Sequence, residues 1–124
     1  MRFMLMHRVL ADDKASWEPN PELMERMDGF IGKLVANKAL LTADGVHNAG
    51  SVVRRRGTAV KSIDGPFAEA KEVIGGFVMI NAKDLAEATA VAEEYITCFA
   101  GVEEMSVEVR PVVEMEDLEP YLTK

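Results

Sequence analysis

Arg2-Phe3-Met4-Leu5-Met6-His7-Arg8 is the stretch on which the fold turns. It is short enough for a strand, and both of its alternating faces are apolar: Phe3 and Leu5 on one, Met4 and Met6 on the other. A strand that is apolar on both sides is buried on both sides. Val73 to Ala82 repeats the pattern, with Phe77 and Met79 set against Val78 and Ile80. The Gly75-Gly76 pair that opens it reads as a bulge.

Two helices lie outward from these strands. Asn20 followed by Pro21 is a helix start, since Asn accepts from the first free amides and Pro at the first position loses no needed N–H. Leu23, Met24, Met27, Phe30, Ile31, Leu34 and Val35 then form one stripe, until Asn37-Lys38 ends it. Gly29, Gly32 and Ala36 make a line of small residues, either a site of close approach or neutral surface positions. Asp84 with Glu87 resembles a capping box before a second stripe, Leu85, Ala88, Ala92, Tyr95, Ile96 and Phe99, with Gly101 as its stop signal.

The remaining segments are strands and loops. Ala11–Asn20 is a loop, Leu40–Ala43 a short strand, and Asp44–Gly50 a second loop. Ser51–Arg56 and Thr58–Ile63 form a hairpin around Gly57, and Asp64-Gly65-Pro66-Phe67 is a turn by its chemistry. Met105–Arg110 alternates as a last strand, which Pro111 ends. The order predicts an α+β fold: a ferredoxin-like sandwich, with an antiparallel sheet, both helices on one face and an extra hairpin. The two-sided strands leave the other face apolar, so a second copy is expected to cover it, giving a homodimer. One domain over 1–124 is expected, with 114–124 an acidic tail on the surface or on the partner.

Composition narrows the function. The chain has 124 residues, 48% of them hydrophobic and 28% charged, which is globular. Its net charge of −7 disfavours nucleic acid or an anionic membrane as partner. One cysteine, Cys98, fits a reducing compartment and reads as core packing. No apolar run reaches the length of a membrane span, and the N-terminus lacks the apolar core of a signal peptide. A cytoplasmic location is expected.

The chemical inventory is thin. His47 lies in a loop, where a group with a pKa near 6.5 suits proton transfer. His7 lies on the Phe3/Leu5 face and reads as structural. Neither His nor Cys occurs at metal-ligand spacing, and no phosphate-cradling loop appears, so no metal or cofactor is expected. Arg54-Arg55-Arg56 reads either as an anion grip or as a strand whose charges prevent edge pairing.

Ile63-Asp64-Gly65-Pro66-Phe67-Ala68-Glu69-Ala70-Lys71-Glu72 is the most distinctive segment. It resembles the signature DGPFAETKE of the DGPF subgroup of the YCII-related family, with Ala70 in place of Thr. Met1–Met4, Gly45-Val46-His47-Asn48, Gly75–Ile80 and Val109–Val112 match in the same order, so the resemblance spans the chain. It implies a dimeric α+β barrel built from ferredoxin-like subunits. Some relatives carry a proposed catalytic His–Asp pair whose His lies in the first helix. This chain has no His between Pro21 and Lys38, so that pair does not transfer. What matches the subgroup is His47 and Asp64. Two readings follow. One is a homodimer that binds a small molecule or regulates. The other is a metal-independent enzyme, working by proton transfer, elimination or isomerisation with His47 and Asp64 as its pair. Arg54, Phe67, Glu69, Lys71 and Glu72 are the expected ligand-binding residues.

Overall fold

The computed structural model describes residues 1–65 and 71–122. Along the chain lie β1 (Arg2–Leu10), α1 (Pro21–Ala36), β2 (Leu40–Gly45), β3 (Ser51–Arg56), β4 (Ala59–Asp64), β5 (Glu72–Asn81), α2 (Leu85–Ile96), β6 (Met105–Pro111) and α3 (Met115–Leu122). Four strands form one sheet in the order β2-β5-β1-β6, and β3 pairs only with β4 in a separate ribbon. Every pairing is antiparallel, so the fold is α+β. β1 and β5, the two strands apolar on both sides, are the interior strands of the sheet.

Burial along β1 alternates strictly, with Phe3, Leu5, His7 and Val9 buried. Phe3 and Leu5 stand opposite Ile80 and Val78 of β5. Phe30 and Leu34 of α1 and Ala88, Ala92 and Tyr95 of α2 close over this row, with Cys98 in the same core. Each large side chain fully buried there contributes roughly 1.5–3 kcal/mol of transfer free energy. The helix starts form as their sequences predict. Asn20 Oδ1 accepts from Leu23 N at 2.9 Å, and Asp84 Oδ1 accepts from Glu87 N at 2.9 Å.

The structure departs from the sequence reading in several places. The 114–124 tail is helical over Met115–Leu122, started by Asp117 accepting from Glu114 N at 2.8 Å. Its acidic composition hid an apolar stripe of Leu118, Tyr121 and Leu122. Asp44 and Gly45 continue β2 instead of starting a loop, because they stand opposite Phe77 and Gly76 in the ladder. α2 ends at Ile96, and Gly101, with φ +89°, serves the turn beyond it. The expected glycine bulge is present. The β1–β5 register slips between His7, opposite Gly76, and Arg8, opposite Ile74, leaving Gly75 as the extra residue. Gly29 and Gly32 face open space in the chain, with nothing within 4 Å of an added Cβ. Gly57, with φ +60°, turns the β3–β4 hairpin.

Opposite requirements at two glycines make the packing testable. An added Cβ at Gly76 would lie 2.7 Å from the Asp44 carbonyl oxygen and 2.9 Å from Gly45 Cα, neither of which can move aside without breaking the ladder. Gly76→Ala should therefore destabilise by about 1–3 kcal/mol in urea unfolding. Gly29→Ala, in an open helix interior, should stabilise by about 0.5–1 kcal/mol. Equal effects at the two positions would contradict this packing.

Candidate functional site

One end of the core is hollow. Between the start of α1 and the β2–β5 edge lies a cavity of about 450 Å³. Leu23, Met27 and Ile31 of α1 form one wall. Ala43 to His47, with Gly75 and Val78, form the second. Trp17 to Asn20 close a third side, and Tyr95, Phe99 and Val102 the fourth. Short polar contacts set these walls in place. Trp17 Nε1 donates to Leu10 O at 3.3 Å, holding the indole at the end of β1. Asn20, besides capping α1, donates from Nδ2 to Ala100 O at 2.9 Å and so ties the helix start to the turn after α2. Val46 N donates to Gly75 O at 2.9 Å, fixing the chain that carries His47.

His7 sits at the base of this cavity, at the third inward-facing position of β1, and is 7% exposed. The Gly75-Gly76 pair makes its place. A Cβ at Gly75 would lie 2.4 Å from His7 Nε2, and one at Gly76 2.7 Å from its Cε1. On the other edge of the ring, Nδ1 lies 2.6 Å from the Tyr95 hydroxyl. The phenol ring stacks on Phe30 at 5.4 Å, and Phe99 lies against His7 at 4.6 Å. Burial among these rings favours the uncharged imidazole and pushes its pKa from 6.5 down to about 4. Burial likewise raises the Tyr95 pKa, with the neighbouring Cys98 adding to it, so the phenol keeps its proton. His7 Nε2 has no partner among the described residues.

Of the described residues expected to form the site, His47 alone lines this cavity, from an exposed position on its rim. Asp64 ends β4 opposite Ser51, is exposed, and shares no hydrogen bond with His47. Arg54 lies on the exposed β3–β4 ribbon opposite Lys61. Lys71 and Glu72 are exposed at the start of β5, away from the cavity wall. Phe67 and Glu69 lie outside the described residues. Among the described residues, no group of three or more His, Cys, Asp or Glu is placed to hold a metal. His7, Tyr95, Trp17 and Phe99 were missed as site residues. Their signal was present: a histidine in an otherwise apolar inward row, facing a Gly-Gly pair.

The buried imidazole fixes a pH dependence. In the unfolded chain His7 takes up a proton below about pH 6.5, and in the folded chain only near pH 4. Between these values the unfolded state binds more protons, so stability falls as pH falls. Going from pH 7.5 to 4.5 should cost the wild type about 2–3 kcal/mol through this group. A His7→Leu/Tyr95→Phe variant, followed by urea unfolding at both pH values, should lack that component. Matching pH slopes in the two proteins would show that His7 is protonated in the folded state.

No helix among the described residues is long and apolar enough to cross a membrane. Comparison with curated proteins finds no match. The family model of the YCII-related domain matches residues 1–116, nearly the whole chain and every wall of the cavity. This chain belongs to the YCII-related domain family.

Proposed function

We propose that this YCII-related domain, of the DGPF subgroup, is a small-molecule-binding homodimer. The observation that carries the reading is the apolar cavity at the end of the core, with the buried, uncharged His7 ring at its base and its Nε2 without a partner among the described residues. Pockets that hold small molecules are concave and mostly apolar, with a few placed polar groups that fix orientation. The enzymatic reading built on His47 and Asp64 gains no comparable support, because only His47 lies on the cavity.

Support for the homodimer comes from what the chain leaves uncovered. The β2-β5-β1-β6 order, with both helices over Phe3 and Leu5, fits a ferredoxin-like subunit. Met4 and Met6 of β1 stand opposite Met79 and Phe77 of β5 on the other face, half-buried within the single chain. An apolar stripe running across two interior strands marks an interaction surface. The β3–β4 ribbon adds to it, since a two-stranded hairpin alone is marginal in water and Val53 and Val60 are more than 60% exposed. A second copy laid on this face gives the dimeric α+β barrel of the family.

Two measurements test these statements. N-phenyl-1-naphthylamine, a neutral probe that brightens in apolar surroundings, should bind saturably at one per chain. Met24→Trp, at the cavity mouth, should weaken it severalfold, whereas Val35→Trp, exposed further along α1, should not. Probe binding that ignores Met24→Trp would place it elsewhere. Sedimentation at micromolar concentration should give twice 13.6 kDa, and Met79→Glu should shift the chain to monomer. A wild-type monomer would remove the homodimer.

A further inference from the structure

The hydrogen bond between Tyr95 and His7 has a direction, and that direction selects a ligand. The Tyr95 side chain is 2% exposed, and its hydroxyl has one partner among the described residues, His7 Nδ1, at 2.6 Å. A buried O–H without an acceptor is costly, so the phenol proton points at Nδ1 and Nδ1 carries the lone pair. A neutral imidazole has one N–H, which must then be on Nε2. The ring therefore presents a donor on its free edge, the edge beside the missing Cβ of Gly75. Apart from His7, the basic side chain on this cavity is His47, on its exposed rim. Among the described residues lining it there is no Lys or Arg, while Glu18 and Asp44 stand on its wall in a chain of net charge −7.

Resting on the small-molecule reading above, we infer that the cavity takes an uncharged, largely apolar molecule carrying a carbonyl oxygen, which accepts a hydrogen bond from His7 Nε2–H. A carboxylate would meet Glu18 and Asp44 with no Lys or Arg to balance it, and a hydrocarbon would leave the N–H without an acceptor. A ligand whose only polar group is a donor would face another donor. Tyr95 is the positioning residue: its hydroxyl holds the imidazole in the donating tautomer, in the way that an outer partner sets the tautomer of an imidazole elsewhere.

The test compares three probes of similar size by NMR titration of the wild-type protein: acetophenone, ethylbenzene and benzoate. Acetophenone should bind about fivefold or more tightly than ethylbenzene, the yield of one buried hydrogen bond. Benzoate should bind more weakly than acetophenone. In His7→Leu/Tyr95→Phe, which removes both polar groups together and so leaves neither orphaned, the preference for the ketone should vanish while ethylbenzene still binds. A long-range ¹H–¹⁵N spectrum of the wild type, which needs no variant to fold, should show the proton on His7 Nε2. A proton on Nδ1 would overturn the donor assignment. Equal binding of acetophenone and ethylbenzene, or tightest binding of benzoate, would overturn the ligand class and leave the apolar pocket standing. No binding by any probe would overturn both.

Discussion

The structure depends on how closely β1 and β5 approach around His7. A full-sized imidazole lies where the neighbouring strand supplies two residues without side chains, and the space left by two Cβ atoms is what it occupies. Any side chain at Gly76 would also press on the β2 backbone, so the same spot fixes the approach of three strands at once. The register slip at Gly75 belongs to this arrangement. By taking one residue out of the ladder it bends β5 and opens the end of the core, where the cavity then forms between strand edge and helix.

The two faces of the sheet have different fates. On the inner face, alternation along β1 meets helices whose stripes match it, and the row from Phe3 to Val9 is sealed. On the outer face, Met4, Met6, Phe77 and Met79 form an apolar row that is half-buried within the chain. Among the described residues there are three α-helices. The third, beyond β6, points its Leu118, Tyr121 and Leu122 into solvent instead of across that face. The Arg2–Glu114 pair, at 2.6 Å, ties the chain after β6 to the start of β1.

Much of the fold was legible because it follows from periodicity and capping. Two-sided apolar strands, two capped amphipathic stripes and a glycine bulge each have a local signature, and each is present. The α3 helix was not legible as a helix, because an acidic run with an internal Pro120 reads as a solvated tail. The site was legible only at His47. A loop histidine draws notice by its exposure, whereas His7 is hidden by its regularity: it occupies an inward position that any aliphatic residue could fill. Its partner Tyr95 is 88 residues away, and a tilted phenol meeting a ring nitrogen is a tertiary contact that no spacing rule encodes. Asp64, the strongest local signal, belongs to a ribbon separate from the four-stranded sheet, and a sequence motif carries no information about which sheet its strand joins.

The identity of residue 7 has an energetic meaning. An aliphatic side chain there, with Phe in place of Tyr95, would bury against Phe99 and the glycine backbone with no polar group to desolvate. Histidine brings two nitrogens into the same place, and the phenol satisfies one of them. A single net hydrogen bond contributes about 1 kcal/mol, which offsets only part of the cost of taking a polar ring out of water. Polar groups that weaken a core tend to sit where activity or binding needs them. The position of His7 at the floor of an apolar cavity, where a longer aliphatic row would simply have extended the core, is the strongest sign that this end of the sheet is shaped for a ligand.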